Sequence, residues 1–359
     1  MFCVAAFVIL AILGIFSVRY RRLATAALKC VARKATFRKC DTTFREDMKA
    51  RLLGKLVIKR PRIARFLDKR LELLASVFVI LMIWSLLVAV RSGLNLYVYD
   101  TCDPANSESC SLGTQGCTLE TLEPRFWQSL LSGQIIAWVR DQADQFGQTL
   151  NRLPDRVKRW NPNEYISQSS SYYRPYDPRK STALEIVDPD CKYCAQQFRN
   201  IKQAGLEIRY NLTYVVYPIP DRRFSGSYKF PHSYLIASYL EAIKDVPLSK
   251  GSVPADWQLL ERIFTWRDPT NGKSYQWEID DPANSDTKVE SLLQEWLRNI
   301  GYSDAEVRNI AKASGSRAVK DSIARQSEIV EGQIKAVRIP ILILGSHRYD
   351  GVIDAKRLR

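Results

Sequence analysis

Residues 183–219, ALEIVDPDCKYCAQQFRNIKQAGLEIRYNLTYVVYPI, decide how this chain is read. Ala183–Val187 is a short apolar run interrupted by one acid, Glu185, and it reads as a strand. Asp188-Pro189-Asp190 supplies a turn, and Cys191-Lys192-Tyr193-Cys194 follows at once. Ala195–Ala204 has helix-forming composition, and 206–219, rich in Val, Ile and Tyr, reads as a second strand. Both cysteines therefore sit at a strand-to-helix junction on the helix's first turn, where unpaired amides and the helix dipole favour a thiolate. That position predicts an outward-pointing, attacking Cys191, with Cys194 one turn on and near enough to close a small disulfide ring. Zinc also uses paired cysteines but needs two further ligands. The nearest alternatives, Cys117 and His232, lie at no familiar spacing, so no metal site is expected.

Downstream, 337–355 reads VRIPILILGSHRYDGVIDA. Pro340 opens an apolar strand, Ile341–Leu344, a turn bounded by Gly345 and Gly351 follows, and a further strand is expected from Val352. The intervening 221–336 reads as helices: 234–243, 256–264, 289–300 and 304–336 each carry apolar residues at helical spacing. Trp257, Trp266, Trp277 and Trp296 within it are expected to be core.

This strand–CxxC–helix–strand unit, helical insert and proline-led strand pair resemble the thioredoxin superfamily, and within it the bacterial Dsb-type thiol-disulfide oxidoreductases. The resemblance covers about 181–359. It implies an α/β thioredoxin-like fold with a helical insertion, thiol–disulfide exchange catalysed by Cys191 and Cys194, and no cofactor. It further implies a substrate-binding group of Ile339, a cis-Pro340 and Tyr193, and a proton-transfer role for Glu185, six residues before Cys191. The implied partners are client proteins with thiols or disulfides and a membrane or soluble redox partner. The chain departs from the family at Ile339, where Thr or Val is usual, and between the cysteines, where Lys192 stands and no histidine. The family also closes with a helix on the sheet. Here Arg359 comes soon after the last expected strand, so truncation of the sequence, or cover of that face by another segment, is expected.

The rest of the chain concerns location. Of the net charge of +15, residues 19–70 carry +14, from 18 Lys or Arg against four acids. This basic block lies between the two most apolar stretches, 1–18 (MFCVAAFVILAILGIFSV) and 73–90 (LLASVFVILMIWSLLVAV). Each is near the minimum for a membrane-spanning helix at ~1.5 Å rise per residue. The basic residues follow the first stretch, which marks a retained anchor over a cleaved signal. Lys and Arg stay on the cytoplasmic side, so the expectation is two transmembrane helices, 1–18 and 71–95, joined by a cytoplasmic loop, 19–70. An orientation signal or anionic-lipid contact explains the basic block, and no nucleic acid is expected as a partner.

Residues 96–180 are then extracytoplasmic: a loop with Cys102, Cys110 and Cys117, an amphipathic helix over 124–152, and a Ser-, Tyr- and Pro-rich linker over 161–181. On that side of an inner membrane, facing a periplasm, disulfides persist. Two readings of the three cysteines stay open: one structural bridge plus an odd thiol, or a redox relay with Cys191 and Cys194. Two functions also stay open. One is a membrane-anchored, two-pass periplasmic thiol-disulfide oxidoreductase. The other is a non-enzymatic thioredoxin-like assembly or docking subunit of a cell-envelope complex, stapled by its CxxC pair.

Overall fold

The computed structural model describes residues 61–104, 113–119 and 126–359, apart from 167–169, 222–223, 225, 247, 249–252, 268–271 and 282, together with Thr25, Leu28 and Lys29. The apolar stretch 1–18, nearly all of the basic block to residue 60, and Cys110 lie outside the described residues. The chain divides into two units, 1–91 and 92–359.

Apart from Thr25, Leu28 and Lys29, the described residues of the first unit belong to helix α1, Pro61–Tyr99, which continues past residue 91. The sequence reading began this helix near residue 71. It starts ten residues earlier because proline is tolerated in a first turn, where its missing N–H would be unpaired anyway, and the Arg-, Leu- and Lys-rich run after it propagates the helix. Ser76–Tyr99 is long and apolar enough to cross a membrane. Many of its large side chains, among them Ile80, Leu81, Trp84 and Leu87, are exposed. Among the described residues it is the one such helix.

The second unit is built on a four-stranded sheet of order β3-β2-β5-β6, with β2 at Thr182–Val187, β3 at Asn211–Val216, β5 at Ile341–Leu344 and β6 at His347–Asp350. Strand β2 runs parallel to β3 and antiparallel to β5, so Glu185 stands between Tyr214 and Leu342. All six residues of β2 are buried, as a central strand covered on both faces requires. A parallel β2–β3 pair needs a crossover, and helix α5, Lys192–Ala204, supplies it, ending at Gly205 with φ +68°. The strand expected over 206–219 is shorter than expected, because Leu206–Arg209 adds a helical turn, α6, before β3 begins. The strand expected from Val352 is instead β6, five residues earlier. Gly345, at φ +59°, permits a two-residue turn from β5. The chain then packs helix α13, Ala355–Leu358, beside α5, with the Asn200 amide donating to the Ile353 carbonyl at 2.7 Å.

The insert between β3 and β5 carries helices α7 (Ser233–Lys244), α8 (Ala255–Thr265), α9 (Tyr275–Ile279), α10 (Asp286–Ile300), α11 (Asp304–Ser314) and α12 (Arg317–Glu328). The single helix expected over 304–336 breaks at Gly315-Ser316, where the Ser316 hydroxyl caps the amide of Val319. Trp257 and Trp296 are core residues, Trp257 lying 4.7 Å from the Tyr214 ring. Trp266 and Trp277 are half-exposed instead, beneath Arg262 and Lys273. The reason is their position on the polar side of short elements, where a cation covers the ring.

Two expectations for 96–180 change. The amphipathic helix is split by Gly133, at φ +73°, into α2 (Phe126–Leu131) and α3 (Ile135–Asn151). A short helix α4, Leu153–Val157, follows. The stretch read as a linker packs onto the sheet. Tyr173 N–H donates to the Leu212 carbonyl at 2.9 Å, and the Ser171 carbonyl accepts from Thr213 and Trp257. Tyr165 and Tyr173 fill apolar space that polar composition alone concealed.

Candidate redox site

The turn that delivers Cys191 is fixed by a buried carboxylate. Asp188 accepts hydrogen bonds from the amides of Asp190 and Ile219, both at 2.9 Å, and from the Ser233 hydroxyl at 2.5 Å. Burial nonetheless pushes its carboxyl up to about 6. Asp190 is pushed up to about 8 by burial and by the neighbouring charges of Asp188 and Asp280, against one amide hydrogen bond from His232. The His232 ring, itself buried, pairs through Nδ1 with Asp286 at 2.8 Å. The sequence reading took Asp188 and Asp190 as plain turn residues. Their folded role was not legible because Ile219, His232 and Ser233 arrive from the far side of β3.

Cys191 is the N-cap of α5, and Cys194 lies one turn on, so both occupy the helix's first turn. The expected outward thiol and closed Cys191–Cys194 ring are corrected. Cys191 is fully buried and disulfide-bonded to Cys117, 74 residues earlier, with Cα atoms 6.6 Å apart. Cys194 is a buried thiol. Its sulfur accepts from the Asp188 amide at 3.4 Å. Burial, then the charge of Asp188 and more weakly that of Glu185, push its thiol well above the ordinary range, against that single hydrogen bond.

Glu185 is fully buried, neither carboxylate oxygen has a hydrogen-bond partner, and burial pushes its carboxyl up to about 8. Tyr193 is buried with the Lys192 ammonium over its ring at 4.9 Å.

The Ile339–Pro340 bond is cis, and the two residues before the proline form strand β4, Arg338–Ile339. Its partner is β1, Cys117–Thr118, antiparallel, with Cys117 opposite Ile339 and Thr118 opposite Arg338. Cys117 thus joins the proline loop to Cys191, by its backbone on one side and its sulfur on the other. Of the other two cysteines of the loop, Cys102 is disulfide-bonded and Cys110 lies outside the described residues.

The sequence reading missed Arg338, whose side chain is fully buried. Its guanidinium donates to the Thr114 carbonyl at 2.6 Å, the Thr114 hydroxyl at 2.7 Å, the Asp350 carbonyl at 3.0 Å and the Tyr99 carbonyl. A cation two residues before Pro340, inside the apolar run VRIPILIL, was the signal available. Lys229, also missed, donates to the Thr118 carbonyl at 2.7 Å.

A mixed sheet of this order, with the paired cysteines opening the helix after the central strand and a cis-proline at the start of β5, is a thioredoxin-like α/β fold carrying a helical insertion. No family model and no curated protein matches the chain. Among solved structures it is similar to the thiol-disulfide exchange protein α-DsbA2 from Wolbachia pipientis, at 16% identity, covering 55% of this chain and 87% of that one, with a TM-score of 0.37. It is similar to MdbA, a thiol-disulfide oxidoreductase from Corynebacterium diphtheriae, at 10% identity, 55% and 96% coverage and a TM-score of 0.36. It is also similar to Proteus mirabilis ScsC in a transitional conformation, at 12% identity, 66% and 93% coverage and a TM-score of 0.37.

Proposed function

We propose that this protein is a membrane-anchored, extracytoplasmic thiol-disulfide oxidoreductase that exchanges disulfides with client proteins through Cys191 and Cys194. The observation that carries the reading is the N-cap position of Cys191, with a buried thiol one turn behind it and a cis-proline strand within one residue's reach through Cys117. At an N-cap, helix-end amides stabilise the Cys191 thiolate once it is reduced, making it both the better nucleophile and the better leaving group. A client disulfide attacked by Cys191 gives a mixed disulfide. Cys194 then attacks the Cys191 sulfur and releases the client as a thiol. Cys194 resists ionisation, so that second step needs a base, and Glu185 is the buried carboxyl whose charge acts on it. Anchoring is supplied by Ser76–Tyr99, with the stretch 1–18 as a second span and the basic block between them on the cytoplasmic side. Ile339 and Pro340 offer backbone to a client strand, and Tyr193 is the third residue assigned to client binding.

A second reading, a stapled docking subunit, is favoured by one observation: the oxidised bridge of Cys191 is to Cys117, in a buried strand held by Arg338. The reduction potential of Cys191 separates the two readings. A purely structural bridge lies below roughly −300 mV, and an exchanging one above it. A potential below that value, with no exchange against glutathione, overturns the enzymatic reading.

A further inference from the structure

The segment 114–119 pairs with the two residues before Pro340, the edge that the exchange reading assigns to a client strand. Cys117 pairs with Ile339 and Thr118 with Arg338, antiparallel, and the Leu119 N–H donates to the Val337 carbonyl at 2.9 Å. The fit is close enough to demand glycines. A Cβ on Gly116 would meet the Ile339 carbonyl oxygen at 2.9 Å. Gly351, at φ +83°, would carry a Cβ 2.6 Å from the Gln115 carbonyl oxygen. The Val352 N–H donates to that same Gln115 oxygen at 2.7 Å, and Arg338 and Lys229 hold Thr114 and Thr118. Main-chain pairing beside a proline loop, with a cysteine bonded to the helix N-cap, has every element of strand addition to an exposed edge. Here the added strand comes from the same chain.

We propose that Gly116–Leu119 is an internal client of this site and that Cys117 is a third exchanging cysteine. Attack by the Cys194 thiolate on the sulfur of Cys191 forms the Cys191–Cys194 bond, breaks the Cys117–Cys191 bond and releases Cys117 as a thiolate. One disulfide is lost and one gained, so no outside oxidant or reductant is required. Cys194 gives up its proton for this attack, to Glu185 in the exchange reading above, and the freed Cys117 thiolate takes one as the strand lifts. An outside client reaches Cys191 only after the strand has left. This inference rests on the exchange reading above.

The test uses the full chain in detergent or lipid, with iodoacetamide and non-reducing peptide mapping, in the absence of reductant. Alkylated Cys117 should accumulate with time in the unmodified chain, together with an equal amount of Cys191–Cys194 peptide. In Cys194→Ala and Cys194→Ser, Cys117 should stay bonded to Cys191. A persistent, unlabelled Cys117–Cys191 bridge in the unmodified chain would mean a fixed staple and overturn the proposal. Equal labelling of Cys117 in the Cys194 variants would overturn it too. A second arm uses Cys117→Ser and a peptide copying residues 115–119, Gln-Gly-Cys-Thr-Leu. The unmodified chain should exchange with ~10 μM peptide about a hundredfold more slowly than Cys117→Ser, because the tethered strand competes at an effective concentration on the order of 1 mM. Equal rates overturn the internal client and leave the enzymatic reading standing. No exchange in either chain overturns both.

Discussion

The backbone N–H of Asp188 points at the sulfur of Cys194 across 3.4 Å, and among the influences acting on that thiol it alone favours ionisation. Burial and two carboxyl groups oppose it. In the proposed exchange the Cys194 thiol would therefore stay protonated until a base takes its proton, which would keep a mixed disulfide on Cys191 alive longer than an exposed pair would.

The roles of the two cysteines should separate in trapping. Cys194→Ala retains the attacking thiol and removes its resolver, so client adducts on Cys191 should accumulate. Cys191→Ala should give essentially none. Equal adduct yields in the two variants, read on non-reducing gels, would reverse or abolish the assignment.

Glu185 should control the resolving step. Glu185→Gln keeps the shape and removes the titration, and should slow resolution of a preformed mixed disulfide by on the order of a hundredfold at pH 7. Formation of that mixed disulfide should be unaffected. Rapid-quench rates between pH 6 and 8 that match the unmodified chain would leave Glu185 without a proton-transfer role.

The same residue should shape stability against pH. Its carboxyl is raised from 4.5 to about 8 in the folded state, so the folded chain holds a proton that the unfolded chain gives up earlier. That contribution is fully present below pH 4.5 and is lost as pH rises through 8. Asp190, raised from 3.8 to about 8, acts in the same direction. Denaturant titrations should show Glu185→Gln gaining on the unmodified chain by on the order of 3 kcal/mol between pH 4 and pH 8. Parallel stability curves for the two chains would contradict burial of the acid.

Arg338→Met should cost about 3 kcal/mol, because it leaves the carbonyls of Thr114 and Tyr99 without their guanidinium donor and removes one of the two donors to the Asp350 carbonyl, the other being the Thr114 hydroxyl. The loss should fall first on the 114–119 strand, with faster hydrogen exchange at Leu119 than on β2. Uniform loss across the sheet would mean that the guanidinium supports the whole domain and not that strand.

Topology is checked from outside the cell. A membrane-impermeant thiol reagent should reach a reporter placed after Val90 and should not reach one placed within 19–70. Labelling of the basic block from outside would invert the orientation and remove the compartment in which disulfides persist.

Local chemistry by itself determined much of this protein. The strand ending at Val187, the turn at Pro189, the helix opened by Cys191 and the strand led by Pro340 are each written in contiguous residues whose propensities agree. The apolar run within 73–90 announced a helix able to span a membrane by composition alone. Break points were less legible, since Gly133 and Gly315-Ser316 interrupt periodic runs that continue on either side. The partner of Cys191 was decided only by tertiary structure. Cys194, three residues away, was the nearer thiol. The antiparallel pairing of Cys117 with Ile339 instead brings a sulfur 74 residues distant onto the helix N-cap. Pairing across such a distance depends on the fold bringing β1 beside β4, and on Arg338, Gly116 and Gly351 shaping the contact. None of these residues lies near either cysteine of the motif in sequence, and only Gly116 is next to the partner cysteine, Cys117. For the same reason Glu185 could be named from its position, but its complete burial, which raises its pKa, exists only once β3 and β5 have closed on either side of it.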